Sequence, residues 1–343
     1  MGGWTVLFRI LKKCRPQMFT GRRPTIFVGI LAFVLFVNVG YAPGAKDRSF
    51  QEWLKGVRQE ALEAGVSQAV LDRAFRQLKP IPRVIELDRS QPEFKLTLQQ
   101  YLDRMVSGKT VRDGRQMYRE HRDLLSGISE KYGVESQYIV ALWGMETRYG
   151  KITGGYPVID VLATLAYDGR RSEFFRAELI HALKILEEGH IAVEDMDGSW
   201  AGAMGQVQFM PSSFASYAVD QDGDGRRDIW GNVPDALASA ANYLSKSGWK
   251  PNQGWGGEVK LPVGFDSKIT DKMVKPLKEW RAMGLSGKGI EGDPHCLAHL
   301  VTPDRNNGRV FLAYPNYGVI LKWNRSNYFA IAVGTLADRI AAQ

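Results

Sequence analysis

The sequence predicts a mainly α-helical protein of the α+β class, a helical body that carries a small β-containing subdomain. Three observations carry this expectation. Between residues 47 and about 244, apolar side chains recur at three- and four-residue intervals, the period that places them on one face of a helix. Near Trp249 the texture changes to Gly- and Pro-rich segments with short alternating runs such as GEVKLPVGF, which read as strands. Over residues 326–342 the helical spacing returns. With 44% apolar and 24% charged residues, the composition excludes collagen-like, disordered and multi-span membrane chains.

The 343-residue chain opens on a basic segment holding Arg9, Lys12, Lys13, Arg15, Arg22 and Arg23 and no acid before residue 46. An uncharged apolar run follows over 26–39, then the small residues Gly40, Ala42, Gly44 and Ala45. This is the pattern of an export signal, or of an N-terminal anchor if it is not removed. The run is shorter than the roughly 20 residues that span a bilayer, whereas Pro43 sits awkwardly at the candidate cut sites. Either form places the body outside the cytoplasm, exported by the segment or tethered by it to the membrane; with the family resemblance given below, the expected location is periplasmic. Cys14 precedes the run, so no lipoprotein is expected. Without these six charges the formal net charge of +8 falls to +2, so the basic balance is no argument for nucleic acid. The divisions expected are 1–45 signal or anchor, 46–110 N-terminal helical region, 111–248 helical core, 249–325 β-containing subdomain, and 326–343 a C-terminal helix returning to the core.

Along the body, Trp53, Leu54, Val57, Ala61 and Leu62 predict a first helix. Ser67 is placed to cap a second, QAVLDRAFRQL, which stops before Pro80. Residues 113–132 read as one long charged helix and 135–147 as an apolar one, followed by helices over about 158–166 and 171–188. Pro234 suits the first turn of DALASAANYLSKS. VFLAYPNYGVILKW reads as two strands around a Pro-Asn turn. Cys296 is alone in the body, so no internal disulfide is expected there and a buried thiol is. His295 and His299 read as a surface helix pair, and no transition-metal site is expected.

In the apolar helix, Ile139, Leu142, Trp143 and Glu146 fall at i, i+3, i+4 and i+7 and share one face. A carboxylate on such a stripe loses hydration, which raises its pKa and suits it to act as a general acid. The helix ends within a residue or two, so Glu146 can also emerge into water or pair with Arg148.

The motif WGMETRYG, followed some fifty residues later by GSWAGAMGQVQFMPSSF, resembles the membrane-bound lytic murein transglycosylase B family. YDGRRSEFF, the Asp-rich loop with DALASAANYL, and KWNRSNYFAIAV appear in that family's order. The resemblance implies a lysozyme-like catalytic core and a single catalytic acid, Glu146. It implies cleavage of the β-1,4 bond from N-acetylmuramic acid to N-acetylglucosamine in peptidoglycan, leaving 1,6-anhydromuramic ends. By motif position it implies substrate contacts from Ser199, Gln208, Tyr243, Tyr101, Arg170, Arg171, Asn324 and Tyr328. The family often has a tyrosine beside the asparagine, where this chain has Trp323. The expected partners are glycan strands and other cell-wall enzymes. Asp168 and Glu173 stand as competing acids. The alternatives are a hydrolytic muramidase and a non-catalytic peptidoglycan-binding protein.

DQDGDGRRD places carboxylates at positions 1, 3, 5 and 9 of a loop with Gly225 at position 6, most of an EF-hand Ca²⁺ loop. Position 12 is Gly231 rather than glutamate. The family's EF-hand-like site implies a last ligand from the next helix, which matches Asp235. The expected structural Ca²⁺ set is Asp220, Asp222, Asp224, Arg226 and Asp235. A solvated acidic turn held by Arg226 or Arg227 is the other reading.

Overall fold

The computed structural model describes residues 49–90, 96–265, 273–304 and 308–342. The expected signal or anchor at 1–45 lies outside them. Among the described residues no helix is long and apolar enough to cross a membrane.

The N-terminal helices are short and individually capped. They are α1 (Phe50–Glu63), α2 (Gln68–Ala74), α3 (Pro82–Arg89) and α4 (Leu98–Met105). Ser49 caps α1, Ser67 caps α2 as expected, and Thr97 with Gln100 forms a capping box on α4. Each cap satisfies backbone N–H groups that have no partner within the helix. Helix α2 ends at Ala74, earlier than its sequence pattern suggests, and turns carry the chain on to Pro80.

The charged stretch expected as one helix is two, α5 (Gly108–Glu120) and α6 (Arg122–Tyr132). His121 closes one and opens the other, at φ −104° and ψ 22°. The break lets α5 pack on the next helix, α7 (Ser136–Thr147), and on the C-terminal helix α14 (Asn327–Ala341), while α6 packs on α11 (Val233–Lys246). Helix α7 is the hub. Its residues 138–145 are all buried, so it is apolar all round rather than along one stripe, as a helix enclosed on every side must be. The hairpin α8 (Val158–Asp168) and α9 (Ser172–Glu187) packs beside it, and α10 (Pro211–Tyr217) lies against α9 and α11.

The β-containing part is a four-stranded antiparallel sheet in the order β3-β6-β5-β4. Its strands are β3 (Gly256–Val259), β4 (Val274–Pro276), β5 (Leu297–Val301) and β6 (Val310–Ala313). Its own small core gathers Val259, Leu277, Trp280, Leu300 and Leu312, with Cys296 buried among them. A two-stranded ladder, β1 (Tyr156–Pro157) with β2 (Asp197–Gly198), sits apart in the helical body.

Two expectations fail here. VFLAYPNYGVILKW is not a hairpin: β6 leads directly into helix α13 (Pro315–Trp323). Pro315 occupies the first turn, where its missing N–H costs nothing, and Tyr317 and Ile320, three apart, are both fully buried. His295 and His299 are not on a helix. His299 lies on β5 and His295 in the exposed turn before it.

Candidate functional site

The site is built at the C-terminal end of α7. Three successive residues there have positive φ: Arg148 at 52°, Tyr149 at 62° and Gly150 at 76°. Such a conformation is costly for residues with a Cβ and persists only when the surroundings hold it. Several contacts do. The Tyr149 ring lies over Gly144, where an added Cβ would fall 2.5 Å from it, and its hydroxyl donates to the Thr110 carbonyl at 2.8 Å. Thr147 Oγ1 donates to the Gln206 carbonyl at 2.7 Å. Trp143 Nε1 donates to Gln206 Oε1 at 3.0 Å, and Gln206 Nε2 donates in turn to the Trp230 carbonyl at 3.1 Å. Gln206 therefore ties the helix end to the Gly-rich loop 198–209.

That loop folds back on itself, with Met204 bridging both Gly198 and Phe209. At Gly205, φ is 65° and a Cβ would sit 2.5 Å from the Ile229 carbonyl, so the close approach requires glycine. Ser199 Oγ accepts from the N–H groups of Ala201 and Ala203 at 3.3 and 3.0 Å. Gln208 is another strained residue, at φ 52°. Its Nε2 donates to the Thr153 and Gly205 carbonyls, both at 2.9 Å. Its Oε1 makes no hydrogen bond within the described residues.

Beside this frame lies a groove of about 170 Å³, lined by Glu146, Gln208 and Phe209, and by Tyr243, Trp323 and Asn324 among others. Glu146 is the only acid in the lining described. Burial pushes its carboxyl up to about 7, against a smaller opposing effect of the hydrogen bond from Trp323. That bond runs from Trp323 Nε1 to Glu146 Oε1 at 2.8 Å. Arg148 is exposed and makes no ion pair with Glu146. Tyr243 closes the floor, with its ring 4.8 Å from that of Trp323 and its hydroxyl donating to the Lys322 carbonyl at 2.7 Å. Burial raises that phenol to about 12, so it is a neutral donor.

Of the substrate-contact residues expected from sequence, Gln208, Tyr243 and Asn324 thus line the groove with Glu146. Tyr101 is buried in α4, 5.7 Å ring to ring from Tyr328, and burial followed by the charge of Glu146 raises its phenol. Tyr328 donates its hydroxyl to Asp304. Arg170 and Arg171 both grip Asp88 at the end of α3, Arg170 at 3.1 Å, and Asp88 is 2% exposed. Neither they nor Ser199 are part of the groove lining. Asp168 pairs with Arg89, and Glu173 is exposed; neither competing acid lines the groove. The sequence reading missed Gln206 as a strut and Trp323 as the partner of Glu146. The spacing of neither residue points to its role, because both contacts join distant segments.

In the Asp-rich loop, Asp220, Asp222 and Asp235 each bring a carboxylate oxygen within 4.8 Å of the others. Asp235 is fully buried in the first turn of α11, and its two oxygens accept from the N–H groups of Gln221 and Asp228 at 2.7 and 2.8 Å. Burial, then the charges of Asp222 and Asp220, raise its pKa. Asp224 is exposed, outside that cluster, and accepts from the Arg226 N–H at 2.8 Å. Three hard oxygen donors without imidazole or thiolate suit Ca²⁺ rather than a transition metal.

The family profile described as a transglycosylase SLT domain matches residues 49–338. The membrane-bound lytic murein transglycosylase B of Escherichia coli K12 is 34% identical over 248 residues, covering 70% of this chain and 66% of that protein. The chain thus spans just under two thirds of the length of that curated relative. SltB3 from Pseudomonas aeruginosa, solved in complex with NAG-anhNAM-pentapeptide, superposes with a TM-score of 0.82 at 46% identity, covering 86% of this chain and 80% of that one. The Escherichia coli lytic transglycosylase Slt35 in complex with calcium gives 0.71 at 29% identity, covering 84% and 92%.

Proposed function

The chain belongs to the transglycosylase SLT domain family, and from that premise we propose that it is a lytic transglycosylase acting on the glycan strands of peptidoglycan, with Glu146 as its one catalytic acid and base. The observation that carries this reading is a half-buried carboxyl, raised toward neutrality by desolvation, with Oε2 making no hydrogen bond and no other acid lining its groove among the described residues. Protonated Glu146 gives its proton to the glycosidic oxygen as the bond to C1 of N-acetylmuramic acid breaks. The carboxylate so formed takes the proton of that sugar's C6 hydroxyl, whose oxygen bonds to C1. The 1,6-anhydro ring closes, Glu146 is protonated again, and no water is consumed. Two-carboxylate glycosidases need a second acid roughly 5 to 9.5 Å away; a sugar that supplies its own nucleophile does not. The anhydro sugar bound to SltB3 is the product class this scheme yields.

Gln208 Oε1, Asn324 and Tyr243 are suited to hold the sugar by hydrogen bonding and stacking. Ser199 shapes the loop, and Tyr101 with Tyr328 backs the acid from α4 and α14; we assign these three to the site indirectly. Asp220, Asp222 and Asp235, with Asp224 and the Arg226 carbonyl, would hold Ca²⁺ in a structural role, in keeping with the calcium bound to Slt35. An envelope location follows from the substrate.

The test is release of soluble muropeptides from purified sacculi by the wild type and by Glu146→Gln. The proposal expects loss of at least about a thousandfold, as removal of an essential acid–base group produces. Equal activity of the two proteins would remove Glu146 from the mechanism. Glycan binding without activity in either would favour a binding module.

A further inference from the structure

The two oxygens of Glu146 are not equivalent. Oε1 receives Trp323 Nε1 at 2.8 Å, whereas Oε2 makes no hydrogen bond within the described residues. Indole N–H donates and cannot accept. Oε1 must therefore be an acceptor both when the group is a carboxylate and when it is an acid; protonated, Oε1 would be a much poorer acceptor than a carbonyl oxygen, so the bond favours the proton on Oε2. A tyrosine hydroxyl could donate to one state and accept from the other, so the restriction is particular to tryptophan. The indole is also fixed in place. Its ring lies 4.8 Å from that of Tyr243 at 65° and 5.3 Å from that of Phe209 at 51°. The preceding residue, Lys322, donates its Nζ to the Ser247 carbonyl at 2.7 Å and accepts from Tyr243 through its backbone oxygen. The donor is thus preorganised by two elements, α11 and α13.

We propose that Trp323 is a positioning residue that confines the transferable proton to Oε2 of Glu146, so that the same oxygen gives the proton to the leaving group and takes the next one back. This rests on the function proposed above. Trp323 acts through Glu146 and forms no bond to the sugar in doing so. Its donor also favours the ionised form, so losing it must raise the pH at which the acid is lost. The other titratable and charged groups facing this corner are Tyr101 from α4, Tyr243 from α11, and Lys322 and Arg325 around the end of α13. Burial keeps both phenols neutral at the pH values in question.

The experiment replaces Trp323 in the full chain with 3-benzothienylalanine, which keeps the ring shape and exchanges the N–H for sulfur; Trp323→Phe is the genetically encoded companion. Turnover and KM are measured on soluble glycan strands from pH 5 to 9, with melting temperature as the folding control and Glu146→Gln as the reference for complete loss. The proposal expects the alkaline limb to move up by about one pH unit and kcat at pH 5.5 to fall by about tenfold with little change in KM. An unmoved limb in the folded isostere, with Glu146→Gln inactive, overturns the role of Trp323 while the function stands. A lower kcat with an unmoved limb reduces Trp323 to packing and overturns the proposal equally. Full activity of Glu146→Gln would remove the function and this inference together.

Discussion

At the scale of the residue, the proposed chemistry depends on desolvating a group that water would ionise. The Glu146 carboxyl titrates near 4.5 in an unfolded chain and is pushed up to about 7 in the fold. Between those values the folded state holds more protons than the unfolded one, so stability is fully present below about 4.5 and falls as pH rises through 7. The loss reaches about 3 kcal/mol above that range. Glu146→Gln keeps the acceptor for Trp323 but carries no charge to desolvate. We therefore expect it to melt several degrees above the wild type at pH 8 and within a degree or two of it at pH 4. Calorimetry at the two pH values checks this; a variant that melts lower at pH 8 would mean the carboxylate is not desolvated. In the wild type, kcat/KM should fall about tenfold for each pH unit above 7, because only the protonated form starts the reaction.

At the scale of the element, α7 delivers Glu146, and Gln206 holds the end of α7. Gln206→Ala strands the buried Trp143 N–H and the part-buried Trp230 carbonyl. Each lost partner costs about 1–3 kcal/mol, so melting temperature should drop by several degrees. Turnover should fall with it as the carboxyl loses its place. The alkaline limb should not move, because Gln206 does not touch the acid, and this separates its effect from that of Trp323. The elements were unevenly legible in the sequence. Helix α7 was plain, because a long apolar run with one carboxylate has few alternatives. Ser67 announced its helix through cap chemistry, and its side chain accepts the expected backbone N–H, that of Val70. The break at His121 and the helix after Pro315 were not legible. The first follows from how α5 and α6 dock on different neighbours. The second starts in an apolar run short enough to satisfy a period of two or of 3.6.

At the scale of the whole molecule, the groove is assembled from segments far apart in the chain: α7, the loop 198–209, α11 and the end of α13. Resemblance to a family placed Gln208, Tyr243 and Asn324 beside Glu146, and the fold brings these together. The same resemblance could not tell that Arg170 and Arg171 spend their charge on Asp88, since Asp88 lies some eighty residues earlier, in no pattern that links it to them. Asp235 joins both ends of the acidic loop to α11, so the proposed cation would act on the packing of a core helix. Chelation should lower the melting temperature by several degrees while leaving low-temperature activity within about twofold, and Ca²⁺ should restore it. No shift on adding Ca²⁺ to metal-free protein would remove the cation from this loop.

The central claim is that one carboxyl serves the bond twice and that the sugar, not water, closes the reaction. Digestion of sacculi in H₂¹⁸O followed by mass spectrometry of the released muropeptides tests it most directly. The account predicts 1,6-anhydromuramic ends with no ¹⁸O. Reducing ends carrying ¹⁸O at the new terminus would contradict it and make the protein a hydrolase.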